Sequence, residues 1–338
     1  MRYISLTQAK EGDIVALPVY DEHGRIFINS GVSLTTKSID RLREKGIFQV
    51  SVEDAISEGI DVSDDINLKI KPKCIKELKN FNLDKALESA NKIAETVMNH
   101  PDVFEYFNEK TFDNYTYEHS ISVSVYASMV GLAFGFNPEE IKKLAIAGIL
   151  HDIGKKCIPY EILHKPDRLN DEEFNEIKKH PNYGYNMVKE NTQLPATAKV
   201  VILQHHENED GSGYPKGLKG DEIYKFSKIV HIVDVYDALI SRRPYKDPMD
   251  PKEAMDFIIE KSGGMFDEKF VDAFIQIMPS YPKGKVVVLN DGRKAIVLKN
   301  IKGNIHRPHI RILDSMEVIK LSEEHPELEI IGLSKEDN

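Results

Sequence analysis

The chain has 338 residues, 41% of them hydrophobic, and a formal net charge of −10. That length holds two or three domains with a sizeable core, and the acidic balance argues against a sequence-independent nucleic-acid binder, which needs a basic face to displace counterions. Cys74 and Cys157 make neither a CxxC nor a disulfide framework, no apolar leader follows Met1 and Arg2, and no run approaches the ~20 apolar residues of a membrane span. A cytoplasmic protein with no nucleic-acid polymer and no membrane among its partners is therefore expected.

Residues 3–53 alternate short apolar runs with turn residues. Residues 14–20 read as a strand with Pro18 near its edge, 21–24 as a turn, and 25–29 as the returning strand. Residues 38–45 read as a helix with Thr35 or Thr36 as its cap and Gly46 as its stop, and residues 47–52 as a closing strand. The unit is a small β-rich accessory domain over 1–72, of which 54–72 is linker-like and ends at Pro72.

From Asn82, Leu83, Ala86, Leu87, Ala90, Ile93, Ala94 and Val97 recur at helical spacing, an apolar stripe for the core or for the seam of a homodimer. A second helix carries His119 near its start and runs through Ile121, Val125 and Met129 to Gly135. Residues 141–150 form a short apolar helix that delivers His151 and Asp152 at its carboxyl end, with Lys155 on roughly the same face. Residues 159–169 read as a loop, and a helix from Asp171 ends at His180 because Pro181 turns the chain.

Residues 198–204 form the helix before His205 and His206. The loop behind them has Gly211 and Gly213 for positive φ and Pro215 to stiffen its exit, while Tyr214 offers a flat face to a base or packs under its own turn. Residues 228–235 carry Asp234, with Asp237 about one turn later and His231 as a structural neighbour. A short basic cluster follows at Arg242, Arg243 and Lys246. Residues 250–261 and 267–278 complete a helical domain over 73–282, after which short strands at 285–289, 294–299, 309–313 and 327–331 make a small β-rich module over 283–338. The fold class is mainly α, a helical core flanked by β-rich modules.

His119, His151, Asp152, His180, His205, His206 and Asp234 are all imidazole or carboxylate. Ligands of that kind without thiolate suit iron, manganese, zinc, cobalt or nickel rather than magnesium, calcium or a closed structural zinc. The set is large enough for two ions with an open position between them, the arrangement of a two-metal hydrolase in which the ions sit roughly 3.5–4 Å apart. Asp152, next to His151, is the residue placed to bridge. Taken singly, each of these residues reads as an ordinary core or helix-end group; the order in which they occur carries the reading.

The sequence resembles the HD-GYP family of HD-superfamily phosphohydrolases. His151-Asp152-Ile153-Gly154-Lys155 matches the HD signature, and His205-His206-Glu207 with Asp210-Gly211-Ser212-Gly213-Tyr214-Pro215 matches the GYP signature. Asp234 to Leu239 and Arg243 to Lys246 match the block downstream. The resemblance implies an HD-type helical core and hydrolysis of cyclic di-GMP to pGpG, and onward to GMP, by a metal-bound hydroxide. It implies the seven ligands above and two divalent ions, iron or manganese. Tyr115 stands where three-metal relatives carry glutamate, and Glu209 stands where the family often has an aromatic. Lys155 and Asp237 are implied as catalytic groups beside Asp152, and Lys155, Tyr214, Arg243 and Lys246 as substrate contacts. Rival readings are a phosphodiesterase for cyclic GMP-AMP, a broader HD-type nucleotide phosphohydrolase, and a non-catalytic module that binds cyclic di-GMP or a GGDEF-domain partner.

Overall fold

The computed structural model describes residues 1–21, 25–45, 47, 49–60, 66–99, 114–165, 167–241, 248–301, 304, 306–322 and 325–334. It is mainly helical with small antiparallel sheets near both ends, the class expected, and its described residues fall into two compact units.

The first unit contains residues 1–80, 114–118 and 276–338. Its first sheet is built from β1 (Arg2–Ser5), β2 (Ile14–Val15) and β5 (Gln49–Glu53) in the order β1-β5-β2, with a separate ribbon of β3 (Val19–Tyr20) and β4 (Ile26–Ile28). The single strand expected over 14–20 is two strands. Pro18 has no N–H for a ladder, and the preceding Leu17 N–H already turns aside to Ser51 Oγ at 2.8 Å. Helix α1 (Thr36–Glu44) has the expected cap: Thr35 accepts from Ser38 N, and Ser38 returns the bond to Thr35 N. Gly46, its expected stop, lies outside the described residues. Leu34, Ile39 and Leu42 of this segment close a core with Ile4, Val15, Val50 and Val52.

The stretch read as a linker turns helical before its end, through a π turn at Ile66–Ile70 and then α2 (Lys71–Lys79), whose first turn accommodates Pro72 because that N–H would be unbonded in any residue. The second sheet has β6 (Val286–Leu289), β7 (Lys294–Lys299), β8 (His309–Ile312), β9 (Val318–Lys320) and β10 (Ile330–Leu333) in the order β10-β6-β7-β8-β9, all antiparallel. Strand β9 has no counterpart in the sequence reading, its three residues being too few for a visible alternation. Arg311 Nη1 donates to Glu58 O at 2.8 Å, tying this sheet to the stretch after β5.

The second unit contains residues 81–99 and 119–275. The helices lying wholly or mostly in it are α3 (Leu83–Asn99), α4 (Tyr115–Phe134), α5 (Pro138–Leu150), α6 (Tyr160–Leu163), α7 (Asp171–Ile177), α8 (His180–Val188), α9 (Ala196–Gln204), α10 (Lys225–Ile240), α11 (Pro251–Glu260) and α12 (Glu268–Ile277). Helix α5 is apolar on nearly every side from Leu144 to Leu150 and is accordingly central, packing on α3, α9 and α10. Gly148 allows α4 against it: a Cβ there would lie 2.7 Å from Ser124 Cα.

Two local expectations are corrected. The loop over 159–169 contains the short α6. His180 does not end a helix but opens one, α8, with Pro181 at its first turn, where proline is pre-organised for helix rather than against it. Among the described residues no helix is long and apolar enough to cross a membrane.

Candidate metal centre

Each candidate ligand sits at a helix end or on an inward helix face. His119 lies in the second turn of α4, His151 caps the carboxyl end of α5, and Asp152 leaves that helix with φ −96 and ψ 8 before a 3-10 turn at Ile153–Cys157. His180 opens α8, His205 caps α9, and Asp234 faces inward from α10. The 3-10 turn is seated on α8 through Gly154, where a Cβ would collide with His180 O and Gly184 N. That close approach is what brings His180 to Asp152.

The carboxylate of Asp152 is the hub. Its Oδ2 lies 3.3 Å from His151 Nε2 and 3.6 Å from His119 Nε2; its Oδ1 lies 3.2 Å from His180 Nε2 and 3.8 Å from His205 Nε2. Asp234 Oδ1 is 2.9 Å from His119 Nε2 and 3.8 Å from His151 Nε2, and its Oδ2 is 3.8 Å from His206 Nδ1. The donor atoms of Asp152, His180, His205 and His206, those of His119, His151 and Asp152, and those of His151, His205 and Asp234 form three groups, within each of which all atoms lie within 4.8 Å of one another. Asp152 thus turns one oxygen to each of two nests of imidazoles.

In four of the five histidines the other ring nitrogen is already bonded. His151 Nδ1 donates to Gly148 O at 2.7 Å, His180 Nδ1 to Ile177 O at 2.7 Å, and His205 Nδ1 to Ile202 O at 3.0 Å. His119 Nδ1 bonds Asp237 Oδ2 at 2.5 Å, and Asp237 is completely buried. These bonds fix the tautomer that leaves Nε2 as a lone pair pointing inward. His151 Nε2 and Asp152 Oδ1 are buried and make no hydrogen bond among the described residues, so the donor set fits divalent cations and leaves atoms for them to satisfy.

Electrostatics agree. Burial alone would raise Asp152, but Lys155, with Nζ 2.5 Å from Oδ2, and the His151 imidazole hold it well below the usual carboxylate range. Burial would likewise raise Asp234, and His119 outweighs it. Burial together with neighbouring imidazoles pushes His205 and His206 well down, so both are neutral and available as ligands.

The loop after His206 is folded back on itself by residues that sequence reasoning left without a role. Buried Glu207 accepts from Lys216 N at 2.8 Å and Leu218 N at 3.0 Å, and Tyr214 N donates to His206 O at 3.0 Å. Gly213 permits the fold-back, since a Cβ would collide with His206 O and Asn208 N. Tyr214, preceding a cis peptide to Pro215, stacks on His206 with ring centroids 4.7 Å apart at 26°. Its place directly after His205-His206 is the only sequence signal for Glu207. His231, expected to be structural, is buried and bonds Asn208 Oδ1 at 3.0 Å through Nε2. Glu118, beside His119, turns away from it and sits 3.6 Å from Lys71 Nζ. The structure therefore brings together all seven expected ligands with Lys155, Asp237 and Tyr214 beside them, while Arg243 and Lys246 lie outside the described residues.

A helical core with imidazoles gathered around a shared, buried carboxylate defines a protein built to take divalent metal ions in its interior. A family model described as an HD domain matches residues 92–270. The chain belongs to the HD domain family. It is 36% identical to a cyclic di-GMP phosphodiesterase of Pseudomonas aeruginosa over 233 residues, 68% of this chain and 56% of that protein. It is 38% identical to a cyclic di-GMP phosphodiesterase response regulator of Xanthomonas campestris over 151 residues, 44% of this chain and 40% of the relative. A 3'3'-cGAMP-specific phosphodiesterase of Vibrio cholerae is 36% identical over 172 residues, 48% of this chain and 33% of the relative. The chain thus spans from a third to just over half of these relatives' lengths. Among solved structures, an HDG"Y"P protein from Bdellovibrio bacteriovorus shares the fold, with a TM-score of 0.53 at 16% identity over 80% of this chain and 97% of that one.

Proposed function

We propose that the chain is a phosphodiesterase that hydrolyses cyclic di-GMP to pGpG, with GMP as the further product, at a centre of two divalent metals, iron or manganese. The observation that carries the reading is Asp152, whose two oxygens face separate groups of imidazoles. His119, His151, Asp234 and Asp152 would hold one ion, and His180, His205, His206 with the same Asp152 carboxylate would hold the other. When bound, two such ions lower the pKa of water and neutralise charge on phosphoryl oxygens.

The chain's own groups do the rest. Lys155 keeps Asp152 ionised and is the nearest ammonium to a phosphate seated there. Asp237 orients His119 from behind. Of the two roles open to Tyr214, stacking on His206 supports a wall of the site that fixes that ligand and offers a flat surface to a purine. Arg243 and Lys246 are proposed to grip the phosphate seated at the centre. Relatives of both substrate names match this stretch, so cyclic GMP-AMP is the second reading.

The experiment is anaerobic turnover by metal-reconstituted protein with cyclic di-GMP and cyclic GMP-AMP supplied separately and together, products resolved by chromatography beside Asp152→Ala. Formation of pGpG by the wild type alone supports the proposal. Preference for cyclic GMP-AMP moves the assignment to the second reading, and absence of product at about two metals per chain overturns both.

A further inference from the structure

The segment between α6 and α8 is rich in acidic groups, Asp171, Glu172, Glu173 and Glu176, and in lysines that they neutralise. Lys165 Nζ bonds both oxygens of Glu173 at 2.8 and 2.7 Å, and Lys179 Nζ bonds Glu176 at 2.6 Å. Lys178, between them in the chain, forms no ion pair among the described residues. Its ammonium instead lies 4.6 Å from the ring centroid of Phe174 and 5.9 Å from that of Tyr214, whose ring in turn stacks on His206. An uncommitted, half-buried cation is thus held by two aromatic rings, one of them a single ring removed from a candidate ligand. Phe174 is 46% exposed, so its apolar surface is left open beside that cation.

Lys165 and Lys179 each pair with one carboxylate, although pairs on such a face contribute little. Lys178 is the exception, and the two aromatic faces beside it hold an ammonium without neutralising it. The chemistry that such an element recognises is an anion attached to a flat ring.

We propose that Lys178 and Phe174 form a substrate subsite, in which Lys178 binds the phosphodiester not undergoing cleavage and Phe174 packs on the nucleoside attached to it. The inference rests on the reading of the centre as a cyclic dinucleotide phosphodiesterase. A cyclic dinucleotide carries two phosphates, and only one can sit on the Asp152 centre at a time. The other needs a cation outside it.

The test compares metal-loaded wild type, Lys178→Met, Lys178→Arg and Phe174→Ala on two substrates: cyclic di-GMP and bis(p-nitrophenyl) phosphate, a diester with a single phosphate. Loss of one charge-assisted contact predicts a KM for the cyclic dinucleotide raised about tenfold or more in Lys178→Met, little change in kcat, and partial retention in Lys178→Arg. Phe174→Ala shifts KM the same way. Kinetics on the nitrophenyl diester stay at wild-type values in every variant, which also shows that the centre is intact. Unchanged KM for the cyclic dinucleotide in Lys178→Met overturns the subsite while leaving the function standing. Equal losses on both substrates overturn it as well, because the effect then lies in the centre. Wild-type cleavage of the nitrophenyl diester with none of any cyclic dinucleotide overturns the function, and the subsite with it.

Discussion

Gly154 and the carbonyl of His180 approach so closely that no side chain fits between them. Substituting Gly154→Ala must therefore push the 3-10 turn off α8 and draw His180 away from Asp152 Oδ1, now 3.2 Å from its Nε2. On the proposed function, the expected result is a folded protein by circular dichroism with about one metal per chain instead of two, and phosphodiesterase activity down at least a hundredfold. Metal analysis after gel filtration checks it; two metals per chain in the variant would show that the two elements need not touch.

Asp237→Asn replaces the charged acceptor that fixes the His119 tautomer with a neutral amide, which can offer either an oxygen or an N–H, while keeping the shape of the side chain. Metal affinity should fall about ten- to a hundredfold, with the fold preserved. Competition against a chelator of known affinity reads this directly, and an unchanged affinity would leave Asp237 as packing alone.

Glu207→Gln retains one acceptor oxygen where the carboxylate now serves both Lys216 N and Leu218 N. Exposing one of those amides to an imperfect partner costs about 1–3 kcal/mol, and the loop carrying Tyr214 should loosen. Faster protease cleavage between 208 and 219 and a raised KM at unchanged metal content are expected. Metal loss instead would assign Glu207 to the centre itself.

Stability should depend on pH through His231. Burial, only partly offset by Asp234, pushes its imidazole down to about 4. The unfolded chain takes up that proton near pH ~6.5 and the folded chain does not until about pH 4, so folding stability falls as pH drops across that window. The loss is on the order of 3 kcal/mol at its limit. Urea midpoints of metal-free protein at pH 7.5 and 5 should differ less in His231→Asn than in wild type; parallel shifts would place the titration elsewhere.

Much of this was legible in the residues, for reasons that differ by element. Helices α3, α5 and α10 announce themselves because their buried faces repeat over several turns, and α1 because a threonine cap precedes Ile39 and Leu42 on one side. The ligands were legible as an ordered set of imidazoles and carboxylates. What escaped was set by partners far away in the chain. Strand β1 exists because β5 pairs with it some 47 residues later, from Arg2 opposite Val52 to Ser5 opposite Gln49. Pro181 reads equally as a terminator or as a first turn, and only the packing of His180 on Gly154 decides. Lys178 looks like its neighbours in sequence, and the carboxylates that take Lys165 and Lys179 leave it aside for geometric reasons alone.

Three of the imidazoles donate their Nδ1–H to a carbonyl three residues earlier in the chain: His151 to Gly148, His180 to Ile177 and His205 to Ile202. Their protonation pattern is a property of one stretch of backbone each, present as soon as that turn winds. His119 is different, since its orienting carboxylate comes from 118 residues away. The corner of the centre around His119 can therefore be completed only when α4 and α10 have met, so the chain holds two grades of ligand, three ready early and one last. A folding intermediate with α10 undocked would capture metal at the His180 and His205 side first, and uptake of the second ion would report the closing of the core.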